Sequence, residues 1–198
     1  MIADVRCFLL DLGKVLVDID LGRLAASMQR LTGIGPMELQ AAFTGDGLVT
    51  RYESGRISDQ EFYGEFNARI GERISFDDFA SAWNAIFIPG QILSDEVIAR
   101  LATLGDLWVI SNTNPLHFAY IRENYEFLRH FRGCILSYEV GALKPDPAIF
   151  HSASVRTGVA PEETVFVDDL QSHVEMARSL GFYAIQFTRP SDLDLLLS

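Results

Sequence analysis

Short apolar runs alternate with stretches of helical periodicity over most of this chain, a pattern that predicts α/β construction. Val5 to Leu10 reads as a continuous apolar strand ending at Asp11, and Leu107 to Ile110 as a second ending at Ser111-Asn112. Cys134 to Leu136 reads as a third, Thr164 to Val167 as a fourth ending at Asp168-Asp169, and Tyr183 to Phe187 as a fifth. Runs without alternation suit strands covered by helices on both faces. Between them, Ser94 to Leu104 places Val97, Ile98, Leu101 and Leu104 on one stripe and stops at Gly105. Asp146-Pro147 reads as an N-cap followed by proline at the first helical position, for a helix ending near Gly158. A further helix spans Gln171 to Leu180, and a short one follows Pro190. The expected architecture is a doubly wound, Rossmann-like parallel sheet with right-handed crossovers.

One segment breaks the alternation. From about Asp20 to Phe87 the signals are helical only: a stripe of Leu21, Leu24, Ala25, Met28 and Leu31, a start at Pro36, a capping box from Ser58 to Glu61, and a start at Ser75 ahead of Phe76, Phe79, Trp83 and Phe87. This predicts a four-helix cap inserted between the first two strands, with the aromatic stripe as its packing. The expected division is a core of residues 1–18 and 90–198 and a cap of residues 19–89, with linkers near Asp18-Asp20 and Pro89-Gly90 as the hinge and Thr44 to Tyr52 as the segment that selects substrate.

Composition narrows the field. The 198 residues carry a formal net charge of −11, and of 16 basic residues only Lys14 and Lys144 are lysine. No apolar run approaches the roughly 18 residues of a membrane span, and Met1 to Arg6 lacks the charged start and long apolar stretch of a leader. Strong acidity without a Lys/Arg cluster argues against nucleic-acid binding. Cys7 and Cys134 sit in strand-like stretches without metal-ligand spacing, which fits free thiols in a cytoplasmic protein. Oligomeric state is not legible.

The polar residues at strand ends carry the chemistry. In an open parallel sheet, ligands bind at the carboxyl ends of strands, and those ends hold Asp11, Ser111-Asn112 and Asp168-Asp169, with Lys144 after the third strand. Carboxylates brought together favour a cation, because repulsion and desolvation otherwise raise their pKa values. An oxygen-rich site of this kind suits Mg²⁺ shared with phosphate, while Ser111 and Lys144 suit phosphate oxygens. The residues therefore point to a Mg²⁺-assisted site for a small phosphorylated molecule.

Four segments in order resemble the haloacid dehalogenase-like hydrolase superfamily. They are Leu9-Leu-Asp11-Leu-Gly13-Lys14-Val15-Leu-Val-Asp18, Val109-Ile-Ser111-Asn112-Thr113-Asn114, Lys144-Pro145 and Val165-Phe-Val-Asp168-Asp169, and the helical insert falls where that superfamily places its cap. The first two segments and Tyr52-Glu-Ser-Gly55-Arg-Ile-Ser58 resemble small bacterial phosphatases of sugar phosphates such as α-D-glucose 1-phosphate, and more distantly the phosphatase domain of soluble epoxide hydrolase. The resemblance implies Asp11 as a nucleophile that forms an aspartyl-phosphate. It implies Mg²⁺ on Asp11, the Gly13 carbonyl, Asp168 and Asp169, and phosphate held by Ser111, Asn112, Lys144 and Lys14, with Lys144 also catalytic.

Gly13 departs from that pattern, since most such phosphatases carry a second Asp there as general acid and base, a role worth about 10²- to 10⁴-fold. Lys14 and His117 are candidate substitutes, and His173 stands where an Asn is common. Other readings are a 2-haloacid dehalogenase, which needs no metal, and a non-catalytic ligand-binding relative.

Overall fold

The computed structural model describes residues 5–197. Residues 1–4, which belong to the expected core and to the stretch read as lacking a leader, lie outside the described residues, as does Ser198. Five parallel strands form the central sheet: β1 (Cys7–Leu10), β4 (Asp106–Ser111), β5 (Gly133–Leu136), β6 (Thr164–Asp168) and β7 (Tyr183–Gln186), in the order β5-β4-β1-β6-β7. All five expected strands are present. The chain winds from β1 through β4 to β5, then returns to β6 on the other side of β1, so the strand order reverses between β1 and β6.

Alternate side chains of β1 leave the sheet on opposite faces, as a period of two requires. Phe8 and Leu10 enter one apolar cluster, Cys7 and Leu9 another built with Ile149, Phe150 and Val174. Helices α6 (Asp95–Leu104), α7 (Pro115–Asn124), α9 (Pro147–Thr157) and α10 (Gln171–Ser179) accompany the sheet, with a single turn, α8 (Ser137–Val140), after β5 and another, α11 (Asp194–Leu197), at the end. Their ends follow local chemistry. Ser94 caps α6, Asp146 caps α9 with Pro147 at its first turn, and Gly158 closes α9 in the left-handed region.

A two-stranded ribbon separates the insert from the sheet. β2 (Val17–Ile19) carries the chain out and β3 (Phe87–Gln91) brings it back, paired antiparallel with Ile19 opposite Phe87. The sequence reading missed both strands: it treated Asp18-Asp20 and Pro89-Gly90 as linkers and placed Phe87 on a helical stripe. β2 is too short to show periodicity, and Pro89 argues against a strand except at an edge, which is where it sits.

The insert holds α1 (Leu21–Thr32), α2 (Pro36–Thr44), α3 (Leu48–Glu53), α4 (Asp59–Arg69) and α5 (Phe76–Asn84). That is five helices where four were expected, because six-residue α3 offers fewer than two turns of pattern. The capping box at Ser58 is present, with Ser58 N–H donating to Glu61 at 2.7 Å. The aromatic stripe is packing, as expected: Phe43 stacks on Phe66 at 4.2 Å, Tyr52 on Phe62 at 4.1 Å, and Trp83 meets Phe62 edge-on at 5.0 Å. These rings belong to the same apolar cluster as Phe8 and Leu10 of β1, so cap and sheet share one core.

Gly55 marks a close backbone approach between the two. It sits at φ +68° after α3, and a β carbon there would lie 2.1 Å from the Tyr138 carbonyl oxygen of α8. Gly55→Ala should therefore lower Tm by roughly 5 °C or more, adding a backbone collision to the left-handed strain. Gly141→Ala, also left-handed at φ +82° but facing open space, should cost clearly less. Equal thermal shifts for the two would contradict the close packing.

Candidate active site

The sheet delivers its polar groups to one edge. Asp11 extends the ladder beyond β1 by donating its N–H to the Val167 carbonyl at 2.9 Å, which fixes its carboxylate at the reversal point. Ser111 ends β4, Asp168 ends β6, and Asp169 follows. Lys144 arrives from the loop after α8, through a cis bond to Pro145. Its ammonium donates to Ile110 O at 3.0 Å, Asp11 Oδ1 at 2.8 Å and Asp168 Oδ2 at 2.6 Å. One fully buried charge thus ties together groups from β1, β4 and β6.

Asn112 holds that lysine from behind. Its Oδ1 accepts from Lys144 N at 2.7 Å and its Nδ2 donates to Lys144 O at 2.9 Å. The Asn112 side chain, expected among the phosphate ligands, is therefore committed to positioning Lys144. Asp168 is equally engaged: Oδ1 accepts from Leu170 N and meets His173 Nδ1, each at 2.9 Å. His173 is thus a partner of the carboxylate. Asp11 Oδ1 also accepts from Leu12 N at 2.7 Å, but Asp11 Oδ2 has no hydrogen-bond partner among the described residues.

Carboxylate oxygens of Asp11, Asp168 and Asp169 lie within 4.8 Å of one another. Burial is the largest influence on each. It pushes Asp11 up to about 6, with Asp168 adding to the rise and Lys144 only partly offsetting it. Burial and Asp168 likewise raise Asp169. Asp168 ends below its usual range because Lys144 and His173 outweigh burial, and Lys144 is held above its own despite burial because two carboxylates face it. Three carboxylates against one ammonium leave negative charge to spare, the condition a divalent cation relieves.

The other expected site residues are placed less centrally. Gly13 lies beside Val17 in an isolated bridge, and a β carbon there would make ordinary contact with Ile19 at 3.4 Å; glycine offers only its backbone. Lys14 is half exposed and its ammonium is paired with Asp18 at 2.6 Å. Ser111 is buried, its hydroxyl 3.4 Å from the Asn112 carbonyl.

His117 is bound into the junction between cap and core. Asn114 Oδ1 accepts from His117 N and from Trp83 Nε1, so its Nδ2 is left to donate to His117 Nδ1 at 3.0 Å. The ring's Nε2 faces the Trp83 carbonyl at 3.1 Å, and the imidazole stacks on the indole at 4.8 Å. Both nitrogens are occupied, which removes His117 as the substitute for the acid missing at position 13. Asn114 was legible as a helix cap before Pro115; its bond to Trp83, 31 residues away, was not.

A family model described as haloacid dehalogenase-like hydrolase matches residues 5–181. The chain belongs to this family. Among its haloacid dehalogenase-like relatives, a D-ribitol-5-phosphate phosphatase of Bacteroides thetaiotaomicron is 26% identical over 189 residues, covering 92% of this chain and 91% of the relative. Hexitol phosphatase A of Escherichia coli is 25% identical, covering 95% and 86%. A family enzyme of Bacteroides thetaiotaomicron, crystallised with magnesium and inorganic phosphate, superposes with a TM-score of 0.88 at 26% identity, covering 98% of this chain and all of that one. Among the described residues no helix is long and apolar enough to cross a membrane.

Burial depresses the His117 pKa from 6.5 to about 4. Its contribution to stability is present above pH 6.5, where the unfolded ring is also neutral, and is lost as the pH falls towards 4. Nitrogen-15 NMR should show a neutral, Nε2-protonated His117 at pH 6, titrating near 4. A midpoint near 6.5 would contradict the bonded arrangement.

Proposed function

We propose that this chain is a Mg²⁺-dependent phosphatase of a small phosphorylated metabolite, a sugar or polyol phosphate, working through an aspartyl-phosphate on Asp11. The observation that carries the reading is the buried Asp11–Lys144–Asp168 cluster beside Asp169, with Asp11 Oδ2 left unbonded. The names of the alditol-phosphate relatives support the substrate class.

The donor set fits magnesium, being all oxygen and over-supplied with negative charge. Asp11, Asp168, Asp169 and the Gly13 carbonyl would hold it. When bound, the ion supplies charge neutralisation for the transferring phosphoryl group and brings Asp11 into its ionised form. The chain's own part begins with Asp11 Oδ2, which attacks phosphorus in line; the new acyl-phosphate bond forms as the ester P–O bond breaks, and the leaving oxygen takes its proton from solvent water. Lys144 is too well anchored to move, and its fixed charge faces the negative charge that develops. The Ser111 hydroxyl and the backbone N–H of Asn112 hold phosphoryl oxygens, while the Asn112 side chain keeps Lys144 in register. Lys14, paired with Asp18, is a peripheral member of the phosphate-binding set. Water then hydrolyses the acyl phosphate and restores the Asp11 carboxylate. No side chain at position 13 donates a proton to the leaving oxygen, so esters whose alcohols leave easily should react fastest.

Two outcomes test this. Wild-type protein with Mg²⁺ should hydrolyse p-nitrophenyl phosphate, lose that activity in EDTA and regain it with excess Mg²⁺. Asp11→Asn should reduce kcat by at least about 10³-fold with an unchanged circular-dichroism spectrum. Tight phosphate-ester binding without turnover in the wild type would support a non-catalytic protein instead, and halide release from 2-haloacids without metal would support a dehalogenase.

A further inference from the structure

Ser111, to which the proposed reaction gives a phosphoryl oxygen, is weakly held by its own side chain. Its hydroxyl has only a long contact, 3.4 Å, with the neighbouring Asn112 carbonyl. The backbone that follows therefore sets its place, and each of the next three residues is anchored. Asn112 is tied to the backbone of Lys144. Thr113 is held at both backbone groups by Ser137 Oγ, which accepts from its N–H at 2.9 Å and donates to its carbonyl at 3.0 Å. The third anchor, on Asn114, comes from the cap.

That anchor is a closed circuit of three hydrogen bonds beginning and ending at Trp83 of α5. The indole Nε1–H, a group that can only donate, gives to Asn114 Oδ1 at 3.2 Å. Asn114 Nδ2 gives to His117 Nδ1 at 3.0 Å, and His117 Nε2 returns to the Trp83 carbonyl at 3.1 Å. Asn114 has no exposed surface, so water does not compete for its bonds. The indole is clamped as well, by Phe43 at 5.1 Å and Phe62 at 5.0 Å from the cap and by the His117 ring at 4.8 Å from the core. Its orientation is thus fixed, with the N–H aimed at the loop. Packing alone is served by phenylalanine, the ring that the same apolar cluster uses at positions 43, 62, 66 and 79. The N–H is the part of Trp83 that packing does not require.

We infer that Trp83 is a positioning residue for phosphoryl transfer: through Asn114, its indole N–H fixes the loop that presents the Ser111 hydroxyl and the Asn112 N–H to the phosphoryl group. A displacement of about 1 Å in such donors can cost on the order of 10²-fold in rate, so a bond made by the cap sets catalytic geometry in the core. The role needs no contact between Trp83 and substrate. It rests on the phosphatase reading and adds a means by which the cap acts on the chemistry of that site.

The test opens the circuit from either side, with p-nitrophenyl phosphate and Mg²⁺ well below Tm. Trp83→Phe keeps a ring and removes the N–H. Asn114→Ser keeps an oxygen to cap α7 but is too short to meet the indole. Each should lower kcat about 5-fold or more, with a smaller change in KM. The double variant should be no slower than Asn114→Ser alone, because both changes break one circuit. Phe66→Leu, which loosens the same cluster without touching the circuit, should lower Tm and leave kcat within about two-fold of wild type. Wild-type kcat in either single variant, a loss confined to KM, additive losses in the double variant, or an equal loss of kcat in Phe66→Leu would overturn the assignment. Asn114→Ser decides the matter by itself where Trp83→Phe does not fold. A metal-replete wild type inert to p-nitrophenyl phosphate would instead defeat the phosphatase reading, and the inference with it.

Discussion

The buried ammonium of Lys144, held between Asp11 and Asp168, is the constraint on which the rest of the site depends. A charge with no exposed side-chain surface is tolerated only where paired groups offset its lost hydration. Removing one member of such a group typically costs about 3–5 kcal/mol, because the others remain buried and unpaired. The sheet does the placing. β1 and β6 are neighbours at the point where strand order reverses, so their terminal carboxylates face a common gap, and β4 contributes the Ile110 carbonyl. The Asn112 side chain then holds the lysine's backbone, which lets a loop residue behave as rigidly as a strand residue. The arrangement still leaves surplus negative charge, the condition a divalent cation relieves.

The cap is attached by a different kind of interaction. The ribbon of β2 and β3 carries the covalent connection, but the aromatic cluster continues into the sheet's core, and Trp83 reaches Asn114 and His117 beyond it. Burial that keeps His117 neutral is the same burial that brings the cap's wall against the loop after β4. Gly55 under the Tyr138 carbonyl sets a second, purely steric contact. Cap position and loop position are thus coupled through packed side chains.

Much of this was legible in the residues. All five sheet strands, the helical insert, Asp11, Asp168-Asp169 and Lys144 follow from apolar runs, capping signals and polar residues at strand ends. The short elements were not. α3 and β2 are too brief for a period to show, and β3 contains a proline that local rules count against a strand. Partner choices were also hidden. Asn112, Lys14 and His117 are each of a type that binds phosphate or moves protons, yet their side chains turn to the Lys144 backbone, to Asp18, and to Asn114 with Trp83.

By itself the sequence determined which residue types would stand at the strand ends, because alternating apolar runs and helix stops are local properties set by burial and backbone geometry. The tertiary structure decided which of those groups meet and which charges stay unpaired. Desolvation and hydrogen-bond pairing depend on segments far apart in the chain: Lys144 lies 133 positions from Asp11, and their contact exists only because parallel strands bring their ends to one edge. Two lysines in an acidic chain were visible from the start. That one is buried among carboxylates while the other sits at the surface with Asp18 is a consequence of the fold.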